Sequence, residues 1–311
     1  MFKKAYRISK ELAVGTYNLC LNRPYGYVMM LHRIGFPDPN RLECIESLKV
    51  SAAYLQRFID IHRNRYDFVS LEEVEQRFLS PQQRTRPFIH FSFDDGFSDN
   101  LTIGLPFFEK NNIPFSVFIT VDFVDKEQAF NYPFVLERIV YFNDSLNICG
   151  KEYRCETREQ KNTVFRLLKE LVLSLPYNGF EHSFRVIFSK YLREDYFENI
   201  TLSWEGVQQL AASPLCTIGS HTMSHPRLSN VPLHELPYEL RDSKWNIESK
   251  INEQVNYISY PFGWSTDYND DVIKITQDAG YRMAFRSFGG AVRRQDREKY
   301  CVNRIMFSEY E

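Results

Sequence analysis

Short, largely apolar runs recur along the chain at strand length: Val28–Leu31, Phe88–Phe93, Phe115–Val121 and Val255–Tyr260, with Cys216–Ser220 also extended. Helical periodicity fills the gaps between them. Ser51–Arg63 places Leu55, Phe58 and Ile59 on one face, and Ser70-Leu71-Glu72-Glu73 is a capping-box start for a second helix. Further helices are predicted over Asn100–Lys110 and from Pro232 toward Asn252. Strands alternating with helices are the signature of an α/β domain with a parallel sheet.

The periodicity changes between Val124 and Ile200, where a helical insertion is expected at 125–200. Thr157-Arg158-Glu159-Gln160 resembles a capping box, and Val164, Leu167, Leu168, Leu171 and Val172 then share one helical face. The aromatic residues Phe130, Tyr132, Phe134, Tyr141 and Phe142 have two readings, core packing or the wall of a glycan cleft. No internal repeat or low-complexity linker interrupts the chain.

Composition narrows the class. A chain of 311 residues, 43% hydrophobic, can bury one large core, so residues 1–311 are read as one elaborated domain. A net charge of -2 gives no electrostatic case for nucleic acid. The basic clusters Arg84/Arg86 and Arg293/Arg294/Arg297 read as solvated loops, the second placed to meet an anionic glycan. Six scattered cysteines without CxxC spacing read as reduced thiols. No apolar run reaches the roughly 20 residues of a membrane span, and Lys10 and Glu11 interrupt any signal-peptide core, which favours a cytoplasmic location. Phe2, Lys3, Lys4, Tyr6, Arg7 and Lys10 suit either an amphipathic helix packed on the domain or peripheral contact with a membrane surface.

The chemistry lies where the strand-like runs end. Phe88–Phe93 stops at Asp94-Asp95-Gly96, and Cys216–Ser220 stops at His221-Thr222-Met223-Ser224-His225. An Asp-Asp-Gly by itself is a turn, and a lone His-x-x-x-His is a surface pair. Together they supply one carboxylate and two imidazoles for a divalent metal, with a second carboxylate beside it. Three protein ligands and an open fourth position are the pattern of a catalytic zinc site. A turn on Gly96 lets both carboxylates approach one ion, and Pro226 keeps His225 out of helical geometry. A third run ends in Tyr260-Pro261-Phe262-Gly263.

These three motifs resemble those of the polysaccharide deacetylases of carbohydrate esterase family 4, the NodB-homology group, over roughly residues 25 to 125 and 200 to 307. The resemblance implies a distorted (β/α) barrel of about seven strands carrying the inserted helical subdomain. It implies Asp94 as general base and Asp95, His221 and His225 as ligands of a divalent metal, most readily Zn2+, with Co2+ or Ni2+ as alternatives. It also implies that the Phe262 backbone N–H, in the segment begun by Tyr260, meets the oxyanion and the acetylated substrate.

Two departures from the family pattern stand out. The histidine expected near the C-terminal end is missing, since Val302–Phe307 reads Val-Asn-Arg-Ile-Met-Phe. Val28–Leu31 instead runs into His32-Arg33-Ile34, which resembles the branch that includes poly-N-acetylglucosamine deacetylases, so the general-acid role falls to His32; capping of the strand is the alternative. Many members carry an arginine two residues before the motif proline, where this chain has Ser259. Arg304 or Arg286 is then the candidate to orient Asp94, against the alternative of a surface ion pair. The expected activity is metal-dependent removal of N-acetyl, or secondarily O-acetyl, groups from an N-acetylated sugar of a surface polysaccharide or its precursor. The rivals are a non-catalytic glycan-binding protein that contains metal, and a zinc amidohydrolase acting on a small non-carbohydrate amide.

Overall fold

The computed structural model of the chain describes residues 24–80, 86–125, 130–197, 200–293 and 298–309. The N-terminal segment at 2–10, with its expected helix or membrane contact, and Arg84, Arg294 and Arg297 lie outside the described residues. The strands, in chain order, are β1 (Pro24–Leu31), β2 (Arg33–Ile34), β3 (Lys49–Val50), β4 (Asp67–Phe68), β5 (Phe88–Phe93), β6 (Phe115–Ile119), β7 (Ser145–Ile148) and β8 (Lys151–Arg154). They continue with β9 (Cys216–Ser220), β10 (Tyr257–Ser259), β11 (Met283–Phe285), β12 (Val292–Arg293) and β13 (Ile305–Met306).

One curled sheet runs in the order β11-β10-β9-β6-β5-β1-β12, with β4 added beside β5 and β13 beside β1. Every pairing in it is parallel except β1 with β12. The sheet is the parallel one that the alternation of elements predicts, and its curl is that of the distorted, roughly seven-strand barrel that the family resemblance implies. Residues 302–306 draw its edges together: Val302 bridges to Phe285 of β11, and Ile305 and Met306 pair with Met29 and Met30 of β1.

Side chains alternate across a strand, and β5 shows what this does in a sheet covered on both faces. Ile89, Phe91 and Phe93 join the large core under the helices. Phe88 faces the other way, into a cluster with Val28, Phe118, Tyr257, Met283 and Phe285. His90 lies on the Phe88 side, its Nδ1 2.8 Å from the Val69 carbonyl and its Nε2 2.9 Å from Ser116 Oγ. Ser92 follows, its hydroxyl donating to the Met29 carbonyl. The run that reads as apolar therefore carries a polar stripe leading up to Asp94.

The helices Ala52–His62 and Leu71–Leu79 start where expected, with Ser51 and Ser70 accepting from the Tyr54 and Glu73 amides. Two predicted helices differ in detail. Asn100–Gly104 and Tyr238–Asp242 are π-turns, each followed by a regular helix, Leu105–Asn111 and Ser243–Ile251. Such wide turns concentrate near functional sites, and both of these carry side chains that brace the site loops. Strand β6 ends at Ile119, and the chain turns at once into a short helix, Val121–Asp125.

Residues 130–197 build most of a second core, centred on Phe134, Leu136, Ile139, Phe165, Leu168 and Phe184 and completed by Leu42, Ile45 and Phe97. The capping box at Thr157 is complete and opens the helix Arg158–Leu173. Its buried face is Val164, Phe165, Leu168 and Val172, whereas Leu167 is exposed. The segment is not wholly helical: β7 and β8 form a hairpin in which Leu146 and Ile148 are buried and Ser145 and Asn147 exposed, turning on Cys149-Gly150 at positive φ. That alternation is legible in the sequence, with Leu146 and Ile148 apolar and Ser145 and Asn147 polar, and it corrects the expectation of an all-helical insertion. The five described cysteines are free. No helix among the described residues is long and apolar enough to cross a membrane.

Candidate active site

The candidate residues converge because each follows the C-terminal end of a strand in the same parallel sheet: His32 after β1, Asp94 and Asp95 after β5, His221 after β9, Phe262 after β10. This is the face on which barrels of alternating strands and helices collect functional groups. The backbone there is unusual. Asp95, Thr222, His225 and Phe262 all have positive φ, at 74°, 72°, 62° and 60°. Non-glycine residues in this region cost of order 1–3 kcal/mol each and persist where surrounding contacts impose them. Gly96 (φ 76°) and Gly263 (φ 67°) supply the flexibility beside two of them. A Cβ on Gly263 would meet the Ser287 nitrogen at 2.4 Å.

Asp95, His221 and His225 bring one ligand atom each to within 4.8 Å of one another. Nε2 of His221 is 3.5 Å and Nε2 of His225 3.3 Å from Asp95 Oδ1. The tautomer of His221 is set by its other nitrogen: Nδ1 lies 2.7 Å from the Ser259 carbonyl, which can only accept, so Nδ1 carries the proton and Nε2 offers a lone pair. Burial lowers the His221 pKa to about 4, so the ring is neutral at physiological pH. Asp95 Oδ1 is buried and meets no hydrogen-bond geometry with any described group, the 3.3 Å approach of His225 included. Burial alone would raise the Asp95 pKa. The His225, His32 and His221 rings outweigh it and hold the carboxyl well below its usual range. An ionised carboxylate facing the bare lone pair of a neutral imidazole, without a proton between them, is a donor set that fits a divalent cation.

Asp94 stands beside this group, buried, and is held by Arg304. Nη1 donates to Oδ1 at 2.8 Å and Nη2 to Oδ2 at 2.7 Å, the two-pronged geometry of strong guanidinium–carboxylate pairs. Arg304 is fully buried, so the surface reading of this residue does not hold. Its remaining donors reach Ser259 Oγ, Ser92 Oγ and the Arg286 carbonyl, and its guanidinium lies 5.6 Å from the Phe118 ring centre. Ser259 in turn donates to Asp94 Oδ2 at 3.3 Å. Burial pushes the Asp94 pKa up, but Arg304 and His221 outweigh it and keep the carboxyl ionised. Arg286, the other candidate for this position, points its Nε at Asn303 Oδ1 instead, 2.7 Å away.

His32 lines the same cavity as Asp94, Asp95, His221 and His225, a volume of 320 Å³. Its Nδ1 is buried with no hydrogen-bond partner among the described residues. The strand-capping alternative concerns its backbone: the His32 carbonyl accepts from Asn100 Nδ2, while Asp99 receives Arg33 Nε at 2.7 Å and the Ile34 amide. The π-turn at Asn100 thus braces the loop and leaves the imidazole to the cavity. Phe262 packs its ring edge-on against His225. Tyr260 is placed otherwise, fully buried with its hydroxyl on Thr276 Oγ1, so it faces the core and does not line the cavity.

Three contributors were not foreseen. Glu239, in the second π-turn and fully buried, accepts from the amides of Met223 and Ser224, the Ser224 hydroxyl and the Tyr177 hydroxyl, and so clamps the loop between the two histidines. Its only sequence signal is a charge between Leu236 and Leu240, which are both buried. Trp264, 55% exposed, stacks on Phe288 with ring centres 3.6 Å apart at the cavity mouth. Lys169, from the helix Arg158–Leu173, lines the cavity on the other side.

Comparison with known proteins gives a family and a fold. The profile of the polysaccharide deacetylase family matches residues 82–284. Over 107 residues the chain is 30% identical to YxkH of Bacillus subtilis (strain 168), which bears a provisional polysaccharide deacetylase name. That match spans 34% of this chain and 37% of the relative. The fold is similar to that of the Streptococcus pyogenes deacetylase PplD, solved in complex with acetate (TM-score 0.60, 15% identity, 93% of each chain). It is also similar to IcaB from Ammonifex degensii (TM-score 0.59, 15% identity, 91% of each chain). At such identities the likeness speaks for the fold.

Proposed function

The chain belongs to the polysaccharide deacetylase family, and from that premise we propose that it is a metal-dependent hydrolase removing N-acetyl groups, and secondarily O-acetyl groups, from an N-acetylated sugar of a surface polysaccharide or its precursor. The observation that carries this reading is the pairing, in one cavity, of an arginine-clamped ionised Asp94 with the Asp95–His221–His225 group. We take residues 1–311 as one domain with an insertion at 125–200.

Asp95, His221 and His225 would hold the ion; two imidazoles and a carboxylate suit Zn2+, and Co2+ or Ni2+ would be accepted by the same donors. When bound, such an ion makes water nucleophilic near neutral pH, with a pKa of about 7, and draws electron density from an acyl oxygen. Asp94 takes the proton from the attacking water. Arg304 occupies one lone pair on each Asp94 oxygen and Ser259 approaches the second on Oδ2, which leaves Oδ1 to accept it. The Phe262 amide makes no hydrogen bond among the described residues, and we assign it to the developing oxyanion. Removing one such donor typically costs about 10²–10³ in rate. His32, unpartnered at Nδ1 in the cavity, donates a proton to the departing amine.

The test is acetate release from N-acetylated oligosaccharides by the purified protein, before and after chelation and after restoring zinc or cobalt. Chelator-sensitive release that returns with metal is expected. Metal bound at one equivalent with no release from any acetylated saccharide would replace this reading with a glycan-binding protein or an amidohydrolase of another substrate class.

A further inference from the structure

We propose that the catalytic cavity carries a seat for a negatively charged oxygen group, built by the Lys169 ammonium and the Tyr132 hydroxyl, so that the acetylated saccharide it takes is an acidic one bearing a carboxylate or a phosphate. The inference rests on the deacetylase reading above. Both residues come from the segment 130–197 and line the same 320 Å³ cavity as Asp94, Asp95 and His32. Tyr132 opens the helix Tyr132–Phe142, and Lys169 lies near the end of Arg158–Leu173. Leu136 and Ile139 of the first helix share a core with Phe165 and Leu168 of the second, which fixes the two side chains relative to one another.

Neither group finds a partner in the fold. Tyr132 is only 6% exposed, and its hydroxyl is buried with no hydrogen bond to any described group. Its ring is held edge-on against Phe180, at 5.4 Å between centres. Burial raises the pKa of this phenol, so it keeps its proton and can donate it to an acceptor. Lys169 is half-buried and makes no hydrogen bond or ion pair among the described residues. Glu170 also lines the cavity, but it is exposed, and successive residues of a helix do not face each other. Cys44, within reach of the Lys169 charge, is a thiol whose pKa burial pushes up to about 12, so it offers no anion. Burial lowers the Lys169 pKa, the mark of an ammonium that has lost water without gaining a counter-ion.

The other charges of the cavity are committed elsewhere. Arg304 neutralises Asp94, Asp267 lies 2.8 Å from Arg227, and Asp95 belongs to the group that suits a cation. A desolvated charge is costly unless it is paired. A carboxylate or a phosphate ester has oxygens enough to accept from both donors and supplies the missing charge, whereas a sugar hydroxyl would leave the ammonium uncompensated.

The experiment uses the β-1,4 tetramer of N-acetylglucosamine and three acidic forms of it: oxidised to the uronic acid, phosphorylated on the primary hydroxyl, and carboxymethylated on the secondary one. Calorimetry gives Kd and acetate release gives kcat/KM. At least one acidic tetramer should exceed the neutral one by about tenfold or more in both measures, and the three arms tell carboxylate from phosphate. Lys169→Gln should bring that ratio to about one, Lys169→Arg should keep most of it, and Tyr132→Phe should lower it about threefold. A wild-type ratio near one for all three acidic forms overturns the seat, and so does a ratio that Lys169→Gln leaves unchanged. Should Lys169→Gln lose its circular dichroism, Tyr132→Phe, which removes a single oxygen, decides: an unchanged ratio overturns the seat. Tighter binding of an acidic tetramer with no acetate released from any of the four would remove the deacetylase reading and uphold the seat. Release from neutral and acidic tetramers alike would remove the seat alone.

Discussion

Arg304 commits its whole guanidinium to one buried cluster, with Asp94, Ser259, Ser92 and the Arg286 carbonyl as partners. Breaking a buried pair from one side leaves an uncompensated charge, at a cost of about 3–5 kcal/mol. Arg304→Met should therefore lower the unfolding midpoint sharply and abolish acetate release. Adding Asp94→Asn to it should return much of the stability and none of the activity, which thermal melts and acetate assays on the single and double variants would check. Arg304→Lys should not restore turnover, because one ammonium cannot fork across both oxygens. His90 sets a second residue-scale expectation. Burial lowers its pKa to about 4 from an ordinary 6.5, and its contacts, Nδ1–H to a carbonyl and Nε2 accepting from Ser116, suit only the neutral ring. On acidification the unfolded chain takes up this proton first, so the contribution is present above pH 6.5 and is lost as pH falls toward 4, by about 3 kcal/mol. Urea midpoints of the wild type should fall across that window, and those of His90→Gln should fall less; parallel curves would remove His90 as the cause.

At the scale of elements, the two π-turns do the bracing. One places Asn100 on the His32 carbonyl and the other places Glu239 under the histidine loop. A regular helix over the same residues would shift the register of these side chains relative to the loops they hold. Glu239→Gln keeps the shape but halves the acceptors available to four donors. Since groups that orient metal ligands are worth about 10–100-fold in affinity, zinc competition against a chelating dye should show a loss of that order. Far-UV circular dichroism should remain unchanged. Zinc affinity equal to that of the wild type would show that the loop holds its shape without Glu239.

At the scale of the molecule, a site formed only where several strand ends meet exists in the folded state alone, so its ligand should stabilise the fold. Zinc at 100 times its dissociation constant contributes about 2.7 kcal/mol, which for a protein of this length corresponds to a rise in Tm of about 4 °C. Calorimetry with and without zinc should show that shift in the wild type, and His225→Ala should lose most of it. An equal shift in the variant would place the ion elsewhere.

Strand and helix order, the caps at Ser70 and Thr157, and the metal-type donor set were legible in the sequence because each depends on residues close together in the chain. Adjacent acids after an apolar run, a histidine pair before a proline and a Ser-x-x-Glu are local patterns, and local backbone geometry reads them. The rest depended on distance. The absence of an arginine before the motif proline made Arg304 and Arg286 equal candidates for Asp94, and nothing local chose between them; Arg304, 210 residues away, arrives there because residues 302–306 draw β11 and β1 together, and because Ser259 is small enough to share the space. Glu239 and Tyr177 find each other across 62 residues. Their meeting exists only once the segment 130–197 has packed against the histidine loop. Sequence therefore determined which chemistry was available, through residue type and local spacing. Tertiary structure alone decided which charges neutralise one another and which surfaces the substrate meets, since desolvation and pairing act between groups that only folding brings together.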